Sequence, residues 1–92
     1  MALDLKVKII TPEEVAYDDM ATAVTIPAEM GEIQVLAGHI LVVARIVSGK
    51  IVVFKDGIAT DEFNVEEGFF RITKDEVSIL IDKIIDSKKN SE

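Results

Sequence analysis

The sequence contains no cysteine and a single histidine. Most metal sites and most nucleophilic active sites need these residues and are therefore not expected. Without cysteine there are neither disulfides nor thiolate metal ligands, and nothing indicates an oxidising compartment. A nucleophilic triad needs a histidine beside an activated Ser, Thr or Cys, and His39 has no serine or aspartate near it in the sequence. No glycine-rich phosphate loop opens a helix. The sequence therefore predicts a protein that is not an enzyme and uses no metal or cofactor.

Long apolar runs and an excess of positive charge are also missing. No segment is long enough for a transmembrane helix, and the first residues do not form a signal peptide. The formal net charge is −7, whereas binding to a phosphate backbone or to anionic lipid needs clustered Lys and Arg. We therefore expect no nucleic-acid partner and no direct lipid insertion.

The chain is rich in apolar residues for its size. Hydrophobic residues make up 49% of the 92 positions, beside 29% charged residues. A single domain of this length buries only about 60% of the surface that its unfolded chain exposes. Either the core is unusually aliphatic, or part of the apolar surface meets a partner.

Alternation of apolar and polar residues with period two dominates the sequence, as in Leu3–Ile9. Turn signals recur every eight to twelve residues, and no segment of 10–15 residues has a helical period. The pattern predicts an all-β fold, an antiparallel β-sandwich or flattened barrel of about 8–10 short strands. We expect the sandwich domain to span residues 1–83, followed by a short, frayed polar tail over 84–92.

The clearest hairpin signal is Asp56-Gly57. A two-residue turn would set Ile51 opposite Glu62, whereas a three-residue loop would set Phe54 opposite Ile58. The second register makes better cross-strand pairs, so it is the register that we predict.

Residues Gly31–His39, Gly-Glu-Ile-Gln-Val-Leu-Ala-Gly-His, resemble a signature of the F-type ATP synthase epsilon subunit, Gly-Glu-Leu-Gly-Ile-Leu-Pro-Gly-His. Gln34 and Ala37 depart from it. The resemblance extends from Leu3 to about Asp82 and does not include the C-terminal helical hairpin of the family. The flanking matches occur in the family's order, at Thr11-Pro12-Glu13, Val24–Pro27, Val47–Ile51, Glu67–Phe70 and Val77–Asp82.

This resemblance implies a non-catalytic subunit of the central stalk, which couples the gamma subunit to the c-ring during proton-driven ATP synthesis. The alpha and beta catalytic subunits would be contacted only indirectly. The protein would then be peripheral, on the cytoplasmic face of the inner or plasma membrane, as part of the ATP synthase complex. A family member without the helical hairpin would not inhibit ATP hydrolysis.

The resemblance also implies two contact sites. The c-ring contact of the family corresponds to Gly31, Glu32, Gly38 and His39. An apolar contact with gamma is expected at Ile40, Val42 and Val43. Because successive side chains of a strand alternate sides, one residue of the pair Val42 and Val43, and one of the pair Phe69 and Phe70, should face outward.

Other interpretations of the same residues stay open at this point. Glu32 could equally be an ordinary solvated acid at a strand edge. His39 could equally be a loop histidine that contacts only water or backbone. The whole chain could instead be an unrelated β-sandwich binding module, such as a homodimer that covers the same apolar face. An enzyme or small-molecule binder would require a deep pocket with converging polar groups.

Overall fold

A computed structural model describes residues 4–38 and 42–89. Within these two ranges the backbone is extended or turning, and no helix suited to crossing a membrane occurs. The all-β prediction is therefore confirmed. The strands are β1 (Leu5–Ile10), β2 (Val15–Ala21), β3 (Ala23–Ala28), β4 (Gly31–Leu36), β5 (Val42–Ile46), β6 (Gly49–Lys55), β7 (Ile58–Val65), β8 (Gly68–Thr73), β9 (Glu76–Ile81) and β10 (Ile84–Lys89).

The strands form one sheet that curls into two packed halves. The first half-sheet has the order β10-β7-β6-β3-β4, and the second has the order β5-β8-β9-β1-β2. Strand β3 connects them, because Ala23–Thr25 pairs with β6 while Ala28 pairs with Ile46 of β5. The pairs are antiparallel apart from β1 and β9, which run parallel.

The core lies between the two half-sheets and follows the period-two alternation of the sequence. In β1, for example, Leu5, Val7 and Ile9 are fully buried while the residues between them face outward. Fully burying an aliphatic side chain stabilises a fold by about 1.5–3 kcal/mol. The aliphatic core explains much of the apolar content of the sequence, although several large apolar residues remain exposed.

The β6–β7 hairpin has a different register from the predicted one. Asp56 and Gly57 both adopt positive φ, 54° and 81°, as a two-residue turn of type I′ requires. Phe54 then lies opposite Ala59, and Thr60 forms a bulge that shifts the remaining pairs by one residue. The predicted three-residue loop was wrong, because aspartate tolerates the left-handed conformation and the tight turn matches the twist of the strands.

The predicted frayed tail is wrong over residues 84–89, where the chain forms strand β10, antiparallel to β7. Ile84 packs against the core, and the Asn64 side-chain amide donates a hydrogen bond to Asp86 Oδ1 at 2.6 Å. An edge strand can form through backbone hydrogen bonds to one neighbour and needs few buried side chains. The polar sequence of β10 therefore gave no sign of a strand. Residues 90–92 lie outside the described ranges.

Candidate protein interface

The β3–β4 hairpin holds two of the predicted c-ring contact residues at its tip. Gly31 is the first residue of β4 and has a φ of 128°, a backbone conformation that residues other than glycine rarely adopt. It lies opposite Ala28, and Glu32 lies opposite Pro27. Because the following residue, Ile33, packs against the core, the Glu32 side chain points outward and is exposed. The turn thus sets the direction in which the Glu32 side chain leaves the backbone.

Gly38 lies at the far end of β4, so the structure does not bring it together with Gly31 and Glu32. Its N–H donates a hydrogen bond to the carbonyl oxygen of Lys74, at 2.8 Å, in the turn between β8 and β9. Glu32 and Leu36 lie four residues apart along β4, about 13 Å, and Gly38 follows two residues beyond the end of the strand. Most of the signature segment is therefore strand β4. His39 lies outside the described residues, and the contact roles of all four positions stay predictions.

The predicted gamma contact falls on strand β5 in the second half-sheet. Val42 packs against the core, whereas Val43 points outward and is 64% exposed. Ile40 lies outside the described residues. In the neighbouring strand β8, Phe70 is fully buried and Phe69 is 53% exposed. The prediction that one residue of each pair faces outward is confirmed, while the contact with gamma stays a prediction.

An exposed apolar row, which sequence analysis did not find, crosses four strands of the same outer face. It consists of Phe69, Leu80, Ile10 and Val15, each directly opposite the next in the sheet. Leu80 is 51% exposed and Val15 is 54% exposed. A depression of about 290 Å³ lies beside the row; its lining is Ile10, Thr11, Pro12, Leu80, Ile81 and Asp82. The row exists only because β1 and β9 are neighbours, a pairing that no local pattern indicates.

Polar contacts join the two half-sheets where β2 approaches β6. The Lys55 ammonium donates a 2.7 Å hydrogen bond to Asp19 Oδ2, and the backbone N–H of Met20 donates one to Asp19 Oδ1. The hydrogen bond from Lys55 lowers the pKa of Asp19, and the same bond raises the pKa of Lys55. These groups serve as a structural link between the half-sheets.

The Tyr17 ring lies at the same junction and packs edge to face against Phe63 of β7, with ring centroids 5.9 Å apart. Burial raises the pKa of the Tyr17 hydroxyl, and the nearby Lys55 ammonium opposes part of that rise. A phenol with a raised pKa is a weaker acid and stays neutral at physiological pH. The contact is therefore one of packing.

Residues 4–38 and 42–89 contain no group of three or more His, Asp or Glu side chains placed to hold a metal ion. The features that distinguish this surface are the exposed carboxylate of Glu32 and the apolar face of the second half-sheet. Both are suited to contacts with other proteins.

Residues 4–87 match the family model described as the β-sandwich domain of the ATP synthase delta/epsilon chain. The ATP synthase epsilon chain of Bacillus velezensis is 38% identical over 76 residues, which cover 83% of this chain and 57% of that protein. The epsilon chain of a Hydrogenobaculum species is 38% identical over 84 residues, covering 88% of this chain and 58% of that protein. This chain thus spans less than two thirds of these relatives.

A solved structure supports the same fold. A chain in the mitochondrial ATP synthase structure of Euglena gracilis, described as OSCP, F1 and c-ring, superposes with a TM-score of 0.82. It is 23% identical, and the match covers 92% of this chain and 54% of that one. Since the family model matches residues 4–87 of 92, this chain belongs to the family of ATP synthase delta/epsilon chain β-sandwich domains.

Proposed function

We propose that this chain is a non-catalytic component of the central stalk of an F-type ATP synthase, where it couples the gamma subunit to the c-ring. The observation that carries the proposal is the family match over residues 4–87. Its location would be peripheral, on the cytoplasmic face of the inner or plasma membrane, through the complex rather than through lipid.

The mechanical part of this function depends on stiffness. A coupling element must pass torque from one partner to the other with little deformation. Ten strands that share one hydrogen-bonded sheet, with an aliphatic core between its halves, favour that behaviour because close-packed interiors have low compressibility. The Lys55–Asp19 contact adds a link between the halves.

The proposed c-ring contact runs along β4. Glu32 supplies an exposed carboxylate beside the glycine turn at Gly31, and a basic residue in a polar loop of a c subunit would form a charge-assisted contact with it. Gly38 and the adjoining His39 would extend the contact from the other end of β4. Such a charge pair sets the register of docking more than its affinity.

The proposed gamma contact lies on a different surface. Val43 is the outward-facing apolar residue of β5. Ile40 and Val42 belong to the proposed set as well, with Val42 packed against the core behind Val43. An apolar contact would cover side chains that are otherwise exposed to water, at a gain of about 25 cal/mol per Å² of apolar area.

Co-purification with the gamma subunit is the primary test. The tagged chain, expressed together with gamma, should retain gamma through washing at moderate salt, since a stable interface buries about 800 Å² on each partner. An unrelated binding module would not retain it. Absence of gamma in the eluate, with the chain folded, would contradict the proposed function.

The c-ring contact is tested by Glu32→Lys in ATP synthase reconstituted into vesicles with this chain as its epsilon component. Like charges brought together at an interface cost on the order of several kcal/mol. ATP-driven proton pumping per ATP hydrolysed should therefore fall, while the thermal midpoint of the chain stays unchanged. Glu14→Lys is the matched control. Glu14 is exposed directly before β2, away from β4, and its substitution makes the same change in charge. Equal pumping by the two variants would remove Glu32 from the contact.

A further inference from the structure

We propose that Asp56 is a site of spontaneous covalent modification, at which the aspartate converts to isoaspartate through a succinimide ring formed with Gly57. The inference concerns the tip of the β6–β7 hairpin and does not depend on the proposed function. It is carried by the exposure of the turn, by the open space around Gly57 and by the contrast with the other aspartates of the chain.

The reaction needs only the chain itself and water. The backbone nitrogen of Gly57 attacks the side-chain carboxyl carbon of Asp56, so that a new C–N bond forms, the nitrogen loses its proton and one water molecule leaves. Water then adds to one of the two ring carbonyls. Hydrolysis at the side-chain carbonyl restores aspartate, whereas hydrolysis at the main-chain carbonyl breaks the original bond to Gly57 and leaves the chain running through the side-chain carbon. One water is released and one is taken up, and no oxidant or reductant takes part.

Gly57 presents little steric resistance to ring closure. It has no side chain, and a Cβ placed on it would have no neighbour within 4 Å. Its N–H donates no hydrogen bond to the other residues of the ranges 4–38 and 42–89, so a solvent base can remove its proton as the ring closes. Asp56 and Gly57 are both exposed, and water therefore reaches the ring from outside.

The hairpin tip must open for the ring to close, because the reaction requires rotation about the bonds of Asp56 that a closed two-residue turn holds in place. Opening breaks the hydrogen bond that the Asp56 N–H donates to Thr22 Oγ1 at 2.8 Å. It uncovers no core side chain, since Asp56, Gly57 and Ile58 are all exposed. Segments of this kind open locally at a free energy below that of global unfolding. The folded protein therefore reacts at this turn.

The other aspartates in the described ranges lack this combination of features. Each is followed by a residue whose side chain hinders attack by the backbone nitrogen; they are Asp4, Asp18, Asp19, Asp61, Asp75, Asp82 and Asp86. Four of them also lie within paired strands, where the ladder restrains the backbone. Asp75, in the turn between β8 and β9, is the most informative comparison, since it is exposed but is followed by Glu76.

Isomerisation should weaken the hairpin. It lengthens the backbone of the turn by one methylene carbon, which the geometry of a two-residue type I′ turn does not accommodate. It also displaces the Asp56 N–H from Thr22 Oγ1, which lies at the corner between β2 and β3. The modified chain should therefore be less stable, with the damage centred on the Lys55–Ile58 end of the hairpin and on this corner.

Incubation of the folded chain in water enriched in heavy oxygen, at neutral pH and physiological temperature, tests the site. Each hydrolysis of the ring places one heavy oxygen at Asp56, so mass spectrometry of its peptides should find the label there together with isoaspartate. The same peptide map includes Asp75, which should gain no label. The isomerised fraction, separated by chromatography, should have a lower thermal midpoint than the unmodified chain.

A pair of variants checks the assignment. Asp56→Gly removes the carboxyl group but keeps a Gly-Gly pair, which a type I′ turn accepts, and the isoaspartate signal should be lost. Asp75→Gly is the matched control, because it makes the same change in another exposed hairpin turn, and the signal should be retained. The labelling of the unsubstituted chain decides the question even if a variant fails to fold.

Three results would overturn the proposal. Equal labelling of Asp56 and Asp75 would remove the selectivity that the structure implies. Absence of label at Asp56 in the folded chain would refute the site, and labelling of the same chain in urea would identify the closed turn as the reason. An isoaspartate signal that survives Asp56→Gly would assign the modification to another residue.

Discussion

Strands β1 and β10 are both six residues long, but the sheet uses them in opposite ways. β1 lies between β9 and β2 and buries three aliphatic side chains completely. β10 has one neighbour, β7, and of its side chains only Ile84 packs against the core. The comparison separates two sources of strand stability: side-chain burial holds β1, whereas β10 depends on a single backbone ladder with a bulge near its start.

The difference between β1 and β10 should also appear in how easily each strand opens locally. Amides of a central strand exchange only when the structure opens globally, whereas an exposed edge strand can open by itself at a lower free energy. The proposed gamma contact lies on β5, and the proposed c-ring contact lies on the β3–β4 hairpin. Neither proposed contact therefore depends directly on the weakly held β10.

The largest effect is expected from Ile9→Ala. Ile9 has no exposed surface and lies between Ile79 of β9 and Tyr17 of β2. Removing its buried methyl and methylene groups leaves a cavity, so the free energy of unfolding should fall by about 2–5 kcal/mol. Urea denaturation followed by circular dichroism measures it. A loss below about 1 kcal/mol would mean that β1 is not part of the rigid core.

The same substitution in β10 should cost much less. Ile84→Ala removes a half-buried side chain, and we expect a loss of about 1 kcal/mol in the same urea experiment. The neighbouring Ile85 is 57% exposed, so Ile85→Ala is the matched control and should stay within about 0.5 kcal/mol of the unsubstituted chain. If Ile84→Ala were as damaging as Ile9→Ala, the contrast between the two strands would be wrong.

The smallest effect concerns Asp19, which is paired with Val7 of β1 and bound to Lys55. The hydrogen bond from Lys55 lowers the pKa of Asp19 in the folded state below the unfolded value of about 3.9. Its stabilisation is therefore complete above that value and is lost as pH falls through the folded pKa. Because the Asp19 side chain is 56% exposed, the contribution should not exceed about 1 kcal/mol.

Thermal midpoints measured between pH 2.5 and 7 check this prediction. Asp19→Asn should lower the midpoint near neutral pH, and the gap to the unsubstituted chain should narrow as pH falls below about 3.9. Asp4→Asn, at an exposed residue before β1, serves as the control and should follow the unsubstituted chain throughout. A constant offset between Asp19→Asn and the unsubstituted chain at every pH would show that the ion pair does not contribute.

The contrast between β1 and β10 also explains which strands could be predicted. The alternation in Leu5–Ile10 is a local property of a half-buried strand, and it identified β1 without further information. In β10 the outward and inward sides are both largely polar, so no alternation distinguishes Ser87-Lys88-Lys89 from a frayed tail. The register of the β6–β7 hairpin was missed for a related reason, since a bulge at Thr60 leaves no signal in the pattern of apolar residues.

By itself, the sequence determined the all-β class, most of the strands and the outward orientation of one residue in each of the pairs Val42–Val43 and Phe69–Phe70, because side-chain alternation is local. Its nine-residue signature, together with the flanking matches in the same order, also indicated the family. Only the tertiary structure decided that Ile10 and Leu80 lie side by side, although they are seventy residues apart in the chain. It likewise decided that Gly38, beyond the end of β4, meets Lys74 in the turn between β8 and β9. Contacts between distant segments depend on which strands pair, and strand pairing is set by packing of the whole core.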